Sequence, residues 1–179
     1  MKITGGILNS RNIETEEFKN VKPTLSKIRE AVFSTLASFG KTDGKFADLF
    51  AGSGIISFEA VSRGFDVFTF EIHPKSAAVI RQNAQKLNVK INLSVCDTLR
   101  KLKKSEEKFD VIYVDPPYHG NLYDKTLNLI KDNNLCANGG IIVLEYPDDV
   151  LPCFEGFKIL KTKNYGKKNL SYVSPEVSE

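Results

Sequence analysis

A carboxylate followed by two prolines and a tyrosine, Asp115-Pro116-Pro117-Tyr118, closes the apolar run Phe109-Asp110-Val111-Ile112-Tyr113-Val114. The amino group of a nucleic-acid base is a poor nucleophile, because its lone pair is delocalised into the ring. Accepting its hydrogens favours a pyramidal, reactive nitrogen. The Asp115 carboxylate and the Pro116 carbonyl offer two acceptors for this, on a loop that consecutive prolines stiffen. Tyr118 can stack on a base extruded from its helix. Asp115, Pro116, Pro117 and Tyr118 are therefore the candidate catalytic residues. No strong base is required, and His119 reads as a surface loop residue. The plain alternative is a rigid turn without function, whereas a hydride-transferring enzyme has no use for such a turn.

Asp48-Leu49-Phe50-Ala51-Gly52-Ser53-Gly54 is the second informative stretch. Its glycines let backbone turn sharply and approach a ligand where a side chain would collide. As a dinucleotide fingerprint it fails at the third glycine, where Ser57 stands. Glu71 lies 19 residues after Gly52, the place where a carboxylate accepts from both hydroxyls of a ribose. NAD and S-adenosylmethionine would suit it equally. Asp97 can accept from an adenine amino group, and either acid can instead be a strand-end cap.

These residues need elements that place them together. Short β-rich runs at 46–50, 66–71, 91–96, 109–114 and 141–145 alternate with helical stretches at 55–63, 74–87, 98–104 and 122–133, the signature of a parallel sheet covered on both faces. Runs at 156–163 and 170–173 add an antiparallel pair, giving a mostly parallel seven-stranded α/β sheet. Ligands bind outside the carboxyl ends of such strands, where Asp48, Glu71, Asp97 and Asp115 all fall. Residues 2–8 read as a short strand or hairpin. A helix is expected over 24–39, where Leu25, Ile28, Val32, Leu36 and Phe39 recur at helical steps. The expected organisation is one domain, 1–179, with an extension over 1–40 and a Rossmann-like core over 45–173.

With 179 residues and 41% hydrophobic composition, the chain can bury roughly two-thirds of its unfolded surface, so no disulfide or metal is needed to hold it. Cys96, Cys136 and Cys153 lack metal-ligand spacing and read as reduced thiols. No run approaches the roughly 20 apolar residues that cross a bilayer, so a cytoplasmic, monomeric protein without membrane or metal partners is expected. The net charge of +3 says little alone. Three basic groups say more: Lys19, Lys22, Lys27 and Arg29; Arg100, Lys101, Lys103 and Lys104; Lys158, Lys161, Lys163, Lys167 and Lys168. Each is an ordinary solvated face unless they converge on one site, where they would contact phosphates.

Together, Pro23-Thr24 with Arg29-Glu30-Ala31-Val32-Phe33, the 48–54 glycine stretch, Glu59-Ala60 with Ser62-Arg63-Gly64, and Asp115-Pro116-Pro117-Tyr118 resemble the bacterial 16S ribosomal RNA guanine-N2 methyltransferases of the RsmD type. The likeness runs from about residue 2 to residue 173. It implies a class I methyltransferase fold, S-adenosylmethionine as methyl donor, and a guanine amino group of 16S rRNA in an assembling 30S subunit as target. Carried over by position, Asp48, Gly52 and Gly54 line the methionine part of the cofactor, Glu71 its ribose, and Asp97 with Thr98 its adenine side. Phe50, Ala51, Ile72 and Asp115 complete the cofactor set. Arg29 orders the pocket entrance or touches RNA, and Lys22, Lys163, Lys167 and Lys168 are further RNA candidates. Where the family has Arg-Pro-Thr, this chain has Lys22-Pro23-Thr24, which keeps the charge but loses a bidentate phosphate fork. Adenine-N6 methylation of DNA or RNA uses the same tetrapeptide, although the chain has no room for a DNA target-recognition domain. A non-catalytic RNA-binding assembly factor is the alternative of a different class.

Overall fold

A computed structural model describes residues 1–15, 26–117 and 121–176. In chain order its elements are α1 Ser26–Ser38, β1 Lys45–Asp48, α2 Ile55–Ser62, β2 Asp66–Glu71, α3 Pro74–Leu87, β3 Asn92–Val95, α4 Thr98–Leu102, β4 Phe109–Val114, α5 Leu122–Asp132, β5 Cys136–Pro147, β6 Phe157–Tyr165 and β7 Lys168–Pro175. The strands form one seven-stranded sheet in the order β3-β2-β1-β4-β5-β7-β6. β1 to β5 run parallel, and β7 pairs antiparallel with both β5 and β6. Strand order reverses between β1 and β4, so the crevice of a doubly wound sheet opens beyond Asp48 and Val114.

Alternation along the strands divides the core in two. Phe46, Val111, Tyr113, Val143, Leu170 and Tyr172 join one apolar cluster, which Ile28, Val32, Phe33 and Leu36 of α1 cover together with Ile55, Ile56 and Phe58 of α2. Ala47, Ile112, Val114, Ile142 and Leu144 face the other way, against Leu102 of α4 and Tyr123, Leu127 and Ile130 of α5. The strands nearest the crevice are thus buried on both faces, which accounts for their continuous apolar runs.

The amino-terminal segment differs from the expected strand or hairpin. Among the described residues it forms one isolated bridge, between Lys2 and Asn12. After Gly6, at φ +75, the backbone turns to α2 for its partners: Ile7 N donates to Ser62 O at 2.7 Å and Leu8 N to Ser62 Oγ at 2.8 Å. Glu59, fully buried on α2, ties the segment down. Its carboxylate accepts from Thr4 N at 2.9 Å and Arg29 Nε at 2.9 Å, and also pairs with Arg63.

β5 starts at Cys136 rather than Ile141. Cys136 pairs with Phe109, and the register then shifts so that Ile141 pairs with Val111. Gly139, at φ +69, sits inside this bulge, which is why Gly139-Gly140 looks like a turn in the sequence.

Candidate active site

The chain leaves β1 still clasped between its neighbours: Leu49 N donates to Tyr113 O at 3.1 Å and Ala51 N to Phe70 O at 3.0 Å. It then bends through Gly52 at φ +54 and Gly54 at φ +76, and Gly54 caps α2. The two glycines have different reasons. A Cβ on Gly54 would lie 2.8 Å from Ile80 Cγ1, whereas one on Gly52 would meet no protein atom within 4 Å. Gly54 allows α2 and α3 to approach, and Gly52 borders open space. Ser57, at the failed fingerprint position, donates its hydroxyl to Asp48 Oδ2 at 2.7 Å and accepts from Thr69 Oγ1 at 2.8 Å. Burial pushes the Asp48 carboxyl up to about 7; the Ser57 hydroxyl works against this, and the Glu71 charge adds to it.

Glu71 joins two loops at the end of β2. One carboxylate oxygen accepts from Gly52 N at 2.7 Å and the other from His73 N at 2.7 Å. Ile72 follows with 56% of its surface exposed. Asp97 is the N-cap of α4, accepting from Arg100 N at 3.1 Å. The Thr98 hydroxyl donates to Leu49 O at 2.6 Å, pinning α4 to the end of β1. Phe50 packs at the edge of the second apolar cluster, and Ala51 is buried.

Asp115 and Pro116 leave β4 at the switch point, with Pro116 buried and Pro117 exposed. Asp115 keeps 24% of its side chain open. Among the described residues, no hydrogen bond reaches its carboxylate or the Pro116 carbonyl. Lys168 Nζ stands 4.0 Å from Asp115 Oδ2. Lys168 is itself paired with Glu145, whose other carboxylate oxygen accepts from the Tyr113 hydroxyl. Glu145 is fully buried. Burial pushes the Asp115 carboxyl up to about 8; the Glu145 and Asp48 charges add to this and Lys168 opposes it.

Known proteins share this arrangement of strands and loops. A family model described as conserved hypothetical protein 95 matches residues 1–174. Ribosomal RNA small subunit methyltransferase D of Buchnera aphidicola (strain APS) is 35% identical over 146 residues, covering 80% of this chain and 76% of its own. The chain belongs to the RsmD family of methyltransferases. The Haemophilus influenzae protein of the same name is 30% identical over 176 residues, covering 93% and 89%. The solved structure of yhhF from Escherichia coli superposes with a TM-score of 0.87 at 23% identity, covering 99% of both chains, and attests the class I methyltransferase fold.

In this RsmD-family chain the sheet brings Asp48, Phe50, Ala51, Gly52, Gly54, Glu71, Ile72, Asp97, Thr98, Asp115, Pro116 and Pro117 to one edge. Two of the residues expected to order the pocket entrance or contact RNA are drawn inward. Arg29 is 3% exposed, its guanidinium held by Glu59 and by Lys2 O at 2.7 Å. Lys168 points inward to Glu145 and Asp115 rather than outward to a phosphate. Lys163 is half-buried and Lys167 exposed at the β6–β7 turn, which lies beside the end of β5 because Pro147 pairs with Lys168. Lys22, Tyr118 and His119 lie outside the described residues. Sequence reasoning missed Ser57, Tyr113 and Glu145 as site residues. Glu145, a charge at the end of an apolar run, was the one visible signal. Among the described residues no group of His, Cys, Asp or Glu could hold a metal ion, and no helix is long and apolar enough to cross a membrane.

Proposed function

We propose that this protein transfers a methyl group from S-adenosylmethionine to the exocyclic N2 amino group of a guanine in 16S rRNA, in the cytoplasm where small subunits assemble. Family membership supports the reaction class and the RNA substrate. The observation that carries the reading is the Asp115 carboxylate beside the Pro116 carbonyl: two acceptors at a switch point, held by prolines, with no donor from the described residues.

The crevice fits the cofactor. Gly52 borders open space, Glu71 brings a buried carboxylate to its edge, Ile72 offers an exposed apolar surface, and Asp48 places a second carboxyl beside the glycine turn. Asp48, Phe50, Ala51, Gly52 and Gly54 would hold the methionine end. Glu71 would take the ribose, since each of its oxygens accepts one amide and keeps a second lone pair. Ile72, Asp97 and the backbone of Thr98 would border the adenine. Bound there, the cofactor supplies an electrophilic methyl group on a sulfonium.

Asp115 and Pro116 accept the two amine hydrogens and draw the nitrogen lone pair out of the ring. The Pro116-Pro117 pair keeps both oxygens in place without ordering cost at the moment of reaction. We assign Tyr118 to base stacking by its place in the motif, and Lys163 and Lys167 to phosphate contact at the rim. Purified protein with radiolabelled S-adenosylmethionine should label 30S particles from a strain lacking the gene, at N2-methylguanine. Label found only in adenine of duplex DNA would overturn the substrate assignment. The Asp115→Ala variant should lose transfer while calorimetry still shows cofactor binding; full activity in it removes Asp115 from the mechanism.

A further inference from the structure

We propose that Lys168, anchored on Glu145, is a positioning residue for methyl transfer that holds the Asp115 carboxylate in place as an open acceptor. This rests on the reading of Asp115 as the group that accepts the amine hydrogens.

Geometry carries the inference. β7 runs antiparallel to β5, with Leu170 opposite Glu145 and Lys168 opposite Pro147. Lys168 therefore shares a sheet face with Leu170 and Tyr172 and reaches over Glu145 toward Asp115. A fully buried carboxylate needs partners, and those of Glu145 include the Lys168 ammonium and the Tyr113 hydroxyl. This pairing fixes the ammonium without help from Asp115. At 4.0 Å from Asp115 Oδ2, Lys168 is too far for a hydrogen bond but close enough to attract the charge. It steadies the carboxylate without using up a lone pair that the base amine requires.

Among the described residues, the titratable groups that act on Asp115 are Asp48 on β1, Tyr113 on β4, Glu145 on β5 and Lys168 on β7. On the elements covering this face, Glu59 of α2 pairs with Arg29 of α1 and with Arg63 at the end of α2. Glu145 pushes the Asp115 carboxyl upward and Lys168 pulls it down, so removing each should have opposite effects.

The test is the pH profile of kcat/KM for methylation of 30S particles by the full chain. Lys168→Gln should move the acid limb to higher pH by about 1 or more, and Glu145→Gln should move it to lower pH. Lys168→Arg should return the limb to its wild-type position. Cofactor affinity, read by calorimetry, should stay within about threefold in the Lys168 variants, since the lysine acts on the base side. Limbs that stay put, that move in the same direction, or that give way to an even loss of activity at every pH overturn the proposal. Should Lys168→Gln lose the fold, the downward displacement in Glu145→Gln with an unmoved limb in Lys168→Arg decides. A wild-type protein that labels no rRNA refutes the reading of the site itself, whereas an active protein with immobile limbs refutes only the part given to Lys168.

Discussion

Replacing Asp48 by asparagine should stabilise the protein at alkaline pH while weakening its cofactor site. Asp48 is 2% exposed, and its carboxyl rises from an ordinary 3.8 to about 7, chiefly through burial. A carboxyl raised in this way binds its proton more tightly in the fold than in the unfolded chain. Its contribution to stability is whole below pH 3.8 and is lost as pH climbs through about 7. Each tenfold change in proton affinity is worth about 1.4 kcal/mol, so the full loss is on the order of 4 kcal/mol. The asparagine side chain of the Asp48→Asn variant does not titrate, and its amide oxygen can still accept from the Ser57 hydroxyl. Between pH 5 and pH 8 the variant should therefore gain about 3 kcal/mol on the wild type, or on the order of 1 M in urea midpoint. Unfolding curves of both proteins at the two pH values measure this directly. A midpoint difference that is the same at pH 5 and pH 8 would refute the claim that Asp48 is held above its ordinary range. The same substitution should lower affinity for a cationic cofactor, the exchange of stability for function expected at a binding site.

Three further outcomes follow from the geometry. Glu71→Ala should raise the cofactor dissociation constant about tenfold to a hundredfold by calorimetry, through loss of a charge-assisted bond worth roughly 1.5 to 3 kcal/mol; unaltered affinity removes Glu71 from the ribose position. Glu59→Ala removes the buried carboxylate shared by Arg29 and Arg63 and should cost about 3 to 5 kcal/mol in chemical unfolding, and a loss below about 1 kcal/mol would mean that this ion pair contributes little to the fold. Gly54→Ala and Gly52→Ala both force a left-handed residue, at about 1 to 2 kcal/mol. Gly54→Ala adds a clash with Ile80 and should lose more stability, while Gly52→Ala fills the crevice and should lose more cofactor affinity, a contrast that melting curves and titrations together would expose.

Much of the fold was legible because its signals are local. Pro74 at the first turn and Asn88 in a left-handed cap bracket α3, and the stretch 111–114 of β4 is apolar on both faces. The residues following each strand were legible as site candidates because a parallel sheet delivers its carboxyl ends to one edge. Features set by long-range register were not legible. Gly139-Gly140 reads as a turn unless one knows that Cys136 already pairs with Phe109. Arg29 and Lys168 sit in basic clusters and look like any surface cation. Their partners lie 30 and 23 residues away along the chain, and only packing shows that both charges are spent inside. Ser57 looks like a defect in a glycine fingerprint until its hydroxyl is placed between Asp48 and Thr69.

The place of β7 has a consequence for biosynthesis. Every other strand emerges from the ribosome before it, yet β7 inserts between β5 and β6 and carries the cation that Glu145 needs. A nascent chain halted before Lys168 would leave Glu145 without its Lys168 ammonium and β5 with an open edge. The side of β5 is thus closed only after every other strand of the sheet has been made, and chains cut short before β7 should be inert and prone to clump rather than partly active.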